Sequence, residues 1–236
     1  MMPNCGPDGK LCFPRTTGDF FLRFPLQQWF PGVFWEKGGD PGAHRAVTQE
    51  VWLSFPNAFV GMFRDPAMRV QSEYAYQSLR SPTNFSQHWD ILEYAQHVAG
   101  TVTKSLAGQE DDNHCRSLRV NKCQTHLVPD VHKAVERLPS FRFVGLTDSW
   151  AESICLFHLQ LGGACLPVEQ VNNRAGTQEQ DQNTTLLELL RVADPFDTLL
   201  FKAAVHRFWT SAAAVGLTCE RCRAISCPCG QLIWSA

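Results

Sequence analysis

An apolar run that passes directly into a helix-start signal constrains the fold most. Residues 58–63 are short, continuously apolar and bounded by turn formers, which is typical of a buried β-strand. Asp65 is a good helix N-cap and Pro66 suits the first helical position. The sequence therefore predicts a strand, a tight turn that carries Arg64, and a helix that runs to about Leu79.

A second apolar run, residues 141–146, is followed in the same way by a helical pattern. Ser149 and Glu152 have the spacing of a capping box, and Gly162 marks the end of that helix after Leu161. Further helices are predicted over 46–54, 85–98, 130–138, 185–192 and 194–216, with polar loops over 104–117 and 167–184. Because strands that alternate with helices form parallel sheets, the expected fold is α/β, with a mostly parallel central sheet flanked by helices.

Composition divides the chain into three parts. Residues 1–45 are rich in Pro, Gly and aromatic side chains and are predicted to be irregular, 46–216 form the α/β domain, and 217–236 form a Cys-rich tail. The chain has 236 residues, 44% of them hydrophobic, which is enough for one sizeable core. The net charge of -2 argues against a general nucleic-acid partner. No apolar run reaches the length of about 18 residues that predicts a membrane span.

Arg64 and Ser72 predict an anion site at the end of the first strand. In open α/β sheets ligands bind beyond the carboxyl ends of the strands, which is where Arg64 lies. A guanidinium group binds phosphate bidentately, the Ser72 hydroxyl can donate to the same anion, and the helix N-terminus adds a positive field. Asp65 and Arg69 are four residues apart and are predicted to form a salt bridge. The alternative is an ordinary capped helix with that ion pair on its surface.

The same stretch resembles a motif of a known enzyme family. Phe59-Val60, followed by Arg64-Asp65-Pro66-x-x-Arg69-x-x-Ser72-x-Tyr74, is similar to the 3′-phosphate-binding motif of the carbohydrate sulfotransferases. These enzymes use 3′-phosphoadenosine 5′-phosphosulfate (PAPS) as their donor. The resemblance implies that Arg64 and Ser72 bind the donor's 3′-phosphate.

Three further segments resemble this family, in the family's order. Residues 121–127 look like its N-x-Q-T-x-x-L segment with one residue inserted, 141–148 with Glu152-Ser153 look like its F-x-F-V-G-L-T-E strand and the helix after it, and 197–203 resemble its D-x-x-L-Y-x-x-A helix. The resemblance covers residues 44 to 209. It implies a P-loop-NTPase-like sulfotransferase fold and the transfer of a sulfuryl group from PAPS to a glycan or glycosaminoglycan hydroxyl. No metal is implied.

The candidate base lies before the motif arginine. Uronyl-type members of the family, which resemble the heparan 2-O-sulfotransferases, have a catalytic histidine there, after a glycine. His44, in Gly42-Ala43-His44, falls close to that position, and histidine is the natural base near neutral pH. The alternative is an ordinary loop histidine near a Gly-Pro turn.

The donor's 5′-phosphosulfate loop is the main departure from the family. The nearest match to the family's P-K-T-G/A-x-T/S loop is Phe13-Pro14-Arg15-Thr16-Thr17-Gly18, where Arg15 replaces the lysine and Thr16 and Thr17 are out of order. The first strand and the loop are therefore expected to be degenerate or missing. This leaves a second function open, a degenerate or truncated relative that binds the donor or a glycan without transfer. A P-loop kinase is disfavoured because the chain has no G-x-x-x-x-G-K-[ST].

The cysteines bear on localisation. Ten cysteines and two weak N-glycosylation sequons, at Asn84 and Asn183, favour a secretory lumen, where disulfides persist. Four cysteines cluster in the tail, at Cys219, Cys222, Cys227 and Cys229; zinc, disulfides and a plain tail all remain open there. The resemblance implies the Golgi lumen, with a membrane anchor outside this chain. The N-terminus lacks a signal-peptide pattern, so the cytoplasm is expected if the chain is complete.

Overall fold

A computed structural model describes residues 46–80, 89–109, 127–170 and 183–228, all of which belong to one compact unit, Arg45–Ala236. Within these residues two strands, β1 (Val60–Phe63) and β2 (Phe143–Leu146), pair in parallel, with Phe63 opposite Leu146. Helices make up most of the rest. The expected α/β class and the parallel pairing of the two predicted strands are confirmed.

Helices surround this small sheet. In chain order they are α1 (Gln49–Ser54), α2 (Pro66–Arg80), α3 (Ile91–His97), α4 (Thr101–Ala107), α5 (Val131–Arg137), α6 (Trp150–Leu161), α7 (Thr184–Ala193), α8 (Pro195–Ala214) and α9 (Cys219–Ala224). Short 3-10 turns cover Leu138–Ser140 and Pro167–Gln170. The helices predicted to start near Pro66, Asp130 and Pro195 are confirmed, with boundaries that shift by a few residues.

The predicted loop over 104–117 is wrong at its start, because Thr101–Ala107 is helical. Gly100, at the helix's N-cap, has a positive φ and no side chain that could cap it. The backbone N–H groups of Val102 and Thr103 instead donate to the Asp197 carboxylate, at 3.2 and 2.8 Å. At the other end, the Arg137 guanidinium donates to the Leu106 carbonyl. Charges that complement the helix dipole therefore hold both ends of α4.

The predicted capping box at Ser149 is also wrong. Helix α6 begins at Trp150 as expected, but the Ser149 side chain makes no capping hydrogen bond. The nearby hydroxyl of Ser153 donates to the Leu146 carbonyl at 2.9 Å and accepts from the Leu146 N–H at 2.8 Å. Ser153 thereby fixes α6 to the last residue of β2.

Two buried clusters make up the described core. The larger one surrounds β2, whose four residues are all buried, and includes Leu156 of α6 and Phe208 of α8. The smaller one lies between α2, α3 and α7, around Val70 and Leu190. Each fully buried side chain of this size contributes about 1.5–3 kcal/mol. The larger cluster packs α6 and α8 against β2, and the smaller one packs α2 against α3 and α7.

Disulfides attach the start of the Cys-rich tail to this core. Cys155 of α6 bonds to Cys222 of α9, and Cys165 bonds to Cys227, with Cα–Cα distances of 5.5 and 4.9 Å. Cys219 is disulfide-bonded as well. Of the three alternatives for the tail, disulfides therefore hold for these cysteines. Among the helices of the described ranges, none combines the length and apolar character that a membrane crossing requires.

Candidate functional site

The two strands end at one edge, and Arg64 lies there. Phe63 and Leu146 are paired, and the Thr147 N–H donates to the Phe63 carbonyl at 2.8 Å. Arg64 follows β1 directly and is half-buried, and α2 begins two residues later. The strand, turn and helix predicted around Arg64 are confirmed. Its role in phosphate binding stays a prediction.

Asp65 fixes the start of α2. Its Oδ1 accepts a hydrogen bond from the Ala67 N–H at 2.8 Å, which confirms the predicted N-cap. Its Oδ2 accepts from Arg191 Nε and Nη2 of α7, at 3.0 and 2.8 Å. The predicted Asp65–Arg69 salt bridge is wrong, because α7 packs against α2 and supplies Arg191 as the partner.

Arg69 is directed toward the N-terminus of α8. Its Nη2 donates to Asp194 Oδ2 at 3.0 Å and to Asp197 Oδ2 at 3.1 Å, and its Nη1 lies 3.4 Å from Glu73 Oε2. Both aspartate side chains are almost fully buried. Arg69 therefore joins α2 to α8.

Asp194 and Asp197 share the Arg69 guanidinium and satisfy backbone groups as well. Asp194 Oδ1 accepts from the N–H groups of Gly100 and Asp197, at 2.9 and 3.1 Å. Asp197 Oδ1 accepts from the N–H and hydroxyl of Thr103. Burial, and then the neighbouring Asp197 charge, raise the pKa of Asp194 to about 6, although Arg69 opposes the shift. We call these three charged groups, Arg69, Asp194 and Asp197, the acid junction.

Ser72 lies one turn beyond Arg69 on α2. It is half-buried, whereas Ala67 and Val70 on the other side of the helix are fully buried. Tyr76, one further turn along, is 54% exposed. Ser72 therefore lies on a partly exposed part of α2, and its role in phosphate binding stays a prediction.

The remaining predicted site residues lie outside the described residues. These are His44, Arg15, Thr16 and Thr17. Residues 121–126 of the N-x-Q-T-like segment also lie outside them. The other family-like segments are described, and they form β2 and the start of α8. Their Ser153 and Asp197 make the backbone contacts given above, which are architectural.

Sequence reasoning missed the acid junction and a second polar cluster. The sequence pattern places Asp194 only at the start of the predicted helix over 194–216. Its contact with the Arg69 guanidinium has no local sequence signal, because Arg69 lies 125 residues away. The second cluster pairs His158 Nε2 of α6 with Glu169 Oε2, at 3.0 Å. A histidine and a cysteine that flank the Gly162-Gly163 turn were the only local signal for it.

No known family model matches this chain, and no curated protein or solved structure is significantly similar to it. The sulfotransferase resemblance therefore rests on the motif residues themselves.

Proposed function

We propose that this chain is a PAPS-dependent sulfotransferase with a P-loop-NTPase-like fold, which transfers a sulfuryl group to a carbohydrate hydroxyl. The observation that carries the proposal is the position of Arg64. It directly follows β1 at the edge where both parallel strands end, and an N-capped helix starts beyond it. Ligands of α/β sheets bind at this edge.

The contacts of the neighbouring charged residues support a division of roles within the motif. Asp65 and Arg69 bind Arg191 and the aspartates of α8, so they position α2. Arg64 and Ser72 would then bind the donor's 3′-phosphate, since they stand at the positions that bind it in the family that the sequence resembles. A guanidinium–phosphate contact is charge-assisted, and the N-terminal field of α2 favours the same anion.

The chemical step needs residues on both sides of the sulfur. An acceptor hydroxyl oxygen forms a bond to the sulfur as the bond between the sulfur and the donor's phosphate oxygen breaks. His44 would take the hydroxyl proton, and Arg15, Thr16 and Thr17 would contact the 5′-phosphosulfate. The leaving group is adenosine 3′,5′-bisphosphate. The acceptor is a glycan or glycosaminoglycan, and no metal takes part.

The disulfides support a lumenal location. Cys155–Cys222 and Cys165–Cys227 are both buried, and such bonds persist in oxidising compartments. We infer that the enzyme acts in the Golgi lumen, where carbohydrate acceptors of this class are modified.

Calorimetric binding of adenosine 3′,5′-bisphosphate tests the proposed phosphate grip. Arg64→Ala should weaken binding by about 1.5–3 kcal/mol, because a charge-assisted hydrogen bond is lost. Arg142→Ala is the matched control: Arg142 is exposed and precedes β2 at the opposite end of the sheet. Equal affinities for the Arg64 variant and the wild type would remove Arg64 from the site.

A labelled-sulfate transfer assay separates the enzyme from its alternative, a degenerate relative that only binds. His44→Ala should abolish transfer and leave bisphosphate binding intact. A wild-type protein that binds the bisphosphate but transfers no sulfate to any glycan in a broad panel would instead be the degenerate form. Transfer by the His44 variant at the wild-type rate would exclude His44 as the base.

A further inference from the structure

We infer that His158, Cys165, Glu169 and Cys227 form a zinc site that opens when the Cys165–Cys227 disulfide is reduced. The site lies between the end of α6, the 3-10 turn that follows it and the tail beyond α9. It shares no residue with the proposed donor site. It also differs from a zinc knuckle made of tail cysteines alone.

The ligand atoms are already close together. The His158 nitrogen, Cys165 Sγ and Glu169 carboxylate oxygen all lie within 4.8 Å of one another, and His158 Nε2 is 3.0 Å from Glu169 Oε2. Tetrahedral zinc, with bonds of about 2.0–2.3 Å, needs ligand atoms roughly 3.3–3.8 Å apart. Cys227 is bonded to Cys165, so reduction releases a fourth ligand at the same place.

Backbone groups orient the two ligands that are not cysteines. His158 Nδ1 lies 3.2 Å from the Gly162 carbonyl, so the tautomer that donates from Nδ1 leaves Nε2 free to bind metal. The Leu166 N–H donates to Glu169 Oε2 at 2.7 Å. Trp150 Nε1 donates to the Glu169 carbonyl at 2.7 Å and fixes that backbone. Outer partners of this kind are what metal-binding histidines and carboxylates characteristically have.

Reduction supplies the thiolates that zinc requires. A dithiol or phosphine reductant gives two electrons to the disulfide; the S–S bond breaks and two protons complete the thiols. When Zn²⁺ binds, each thiol loses its proton and its sulfur donates a lone pair to the metal. Cys165, Cys227 and His158 are buried, whereas Glu169 is 27% exposed. Glu169 therefore marks the side from which the ion enters.

Zinc titration of the full chain tests the site. Protein reduced with a phosphine should bind zinc in competition with a chromophoric chelator, and Co²⁺ should give the absorption of a tetrahedral sulfur site. His158→Gln should weaken zinc binding at least about tenfold. His132→Gln is the control, because His132 is 85% exposed on α5 and should leave zinc affinity unchanged.

Cys227→Ala tests the same site without reductant. This variant frees Cys165 and keeps the Cys155–Cys222 bond, so three protein ligands remain. We expect it to bind zinc more weakly than the reduced wild type, and expect His158→Gln in the same background to remove that binding. The inference is overturned if neither form takes up zinc, or if uptake by the reduced protein is equal with and without His158. The near-UV circular dichroism of each form shows that it is folded, and the His158 comparison is made on the folded form: the reduced protein, or the unreduced Cys227→Ala variant.

Discussion

Helices α4 and α9 are both too short to be stable alone, yet the structure holds them in different ways. Helix α4 has seven residues and is held at its ends by opposite charges, from Asp197 and Arg137. Helix α9 has six residues and is held by a covalent bond from Cys222 to α6. Isolated helices of this length do not form in water. The comparison shows that each helix depends on distant partners: the charges of Asp197 and Arg137 for α4, and a disulfide that is sensitive to redox conditions for α9.

Asp197→Ala should destabilise α4 and cause the largest loss in the free energy of unfolding. It removes the acceptor for the Val102 and Thr103 N–H groups and one partner of Arg69. Removal of one member of a buried charged network costs about 3–5 kcal/mol. The free energy of unfolding, measured in urea, checks this value.

The control for Asp197 is Asp148→Ala. Asp148 is exposed on the loop between β2 and α6, and its loss should change stability by less than about 0.5 kcal/mol. Equal stabilities for the two variants would show that the acid junction does not hold α4.

The double variant Cys155→Ala/Cys222→Ala should release α9 from α6 and lower the free energy of unfolding. The disulfide closes a loop with a sequence separation of 67 residues, so its loss should cost about 2–4 kcal/mol. Urea unfolding under non-reducing conditions measures the cost. Adding reductant should destabilise the wild type more than this variant; an equal loss in both would mean that the Cys155–Cys222 bond contributes nothing.

These two helices also show what sequence can predict. Strands and longer helices with local caps, such as α2 with Asp65, were predictable because their signals lie within a few residues. The α4 helix was missed because its cap is Asp197, 94 residues from Thr103. Arg64 was identifiable from the strand-to-helix junction, but the partner of Asp65 was not, since Arg191 lies 126 residues away. Local pattern thus predicts elements, and distant side chains decide which marginal elements form.

The titration of Asp194, which accepts from the N-cap residue of α4, should make the free energy of unfolding depend on pH. This effect should be smaller than the two above. Burial raises the pKa of Asp194 to about 6, above the ordinary value of 3.8. Between these values the folded state binds more protons than the unfolded chain, so this group's contribution is full below about pH 4 and declines as pH rises through 6. The decline is at most about 3 kcal/mol.

Asp194→Asn isolates that contribution. The amide oxygen can still accept from the Gly100 N–H, but the residue no longer carries a charge beside Asp197. The wild type should lose stability relative to Asp194→Asn between pH 4 and 7. Parallel pH profiles for the two proteins would show that Asp194 does not titrate in this range.

Thr218→Ala should have the smallest effect on the free energy of unfolding. The Thr218 side chain accepts from the Arg221 N–H at 3.3 Å, so α9 has the local N-cap that α4 lacks. A solvent-exposed cap of this kind contributes about 0.5–1 kcal/mol. Thr210→Ala, at an exposed threonine that bonds only within α8, is the matched control and should be nearly neutral.

In the Cys155→Ala/Cys222→Ala background the cap should contribute less, because a helix released from its disulfide no longer holds the geometry that Thr218 caps. Additive urea-unfolding energies for the two changes would instead show that α9 remains folded without its covalent anchor.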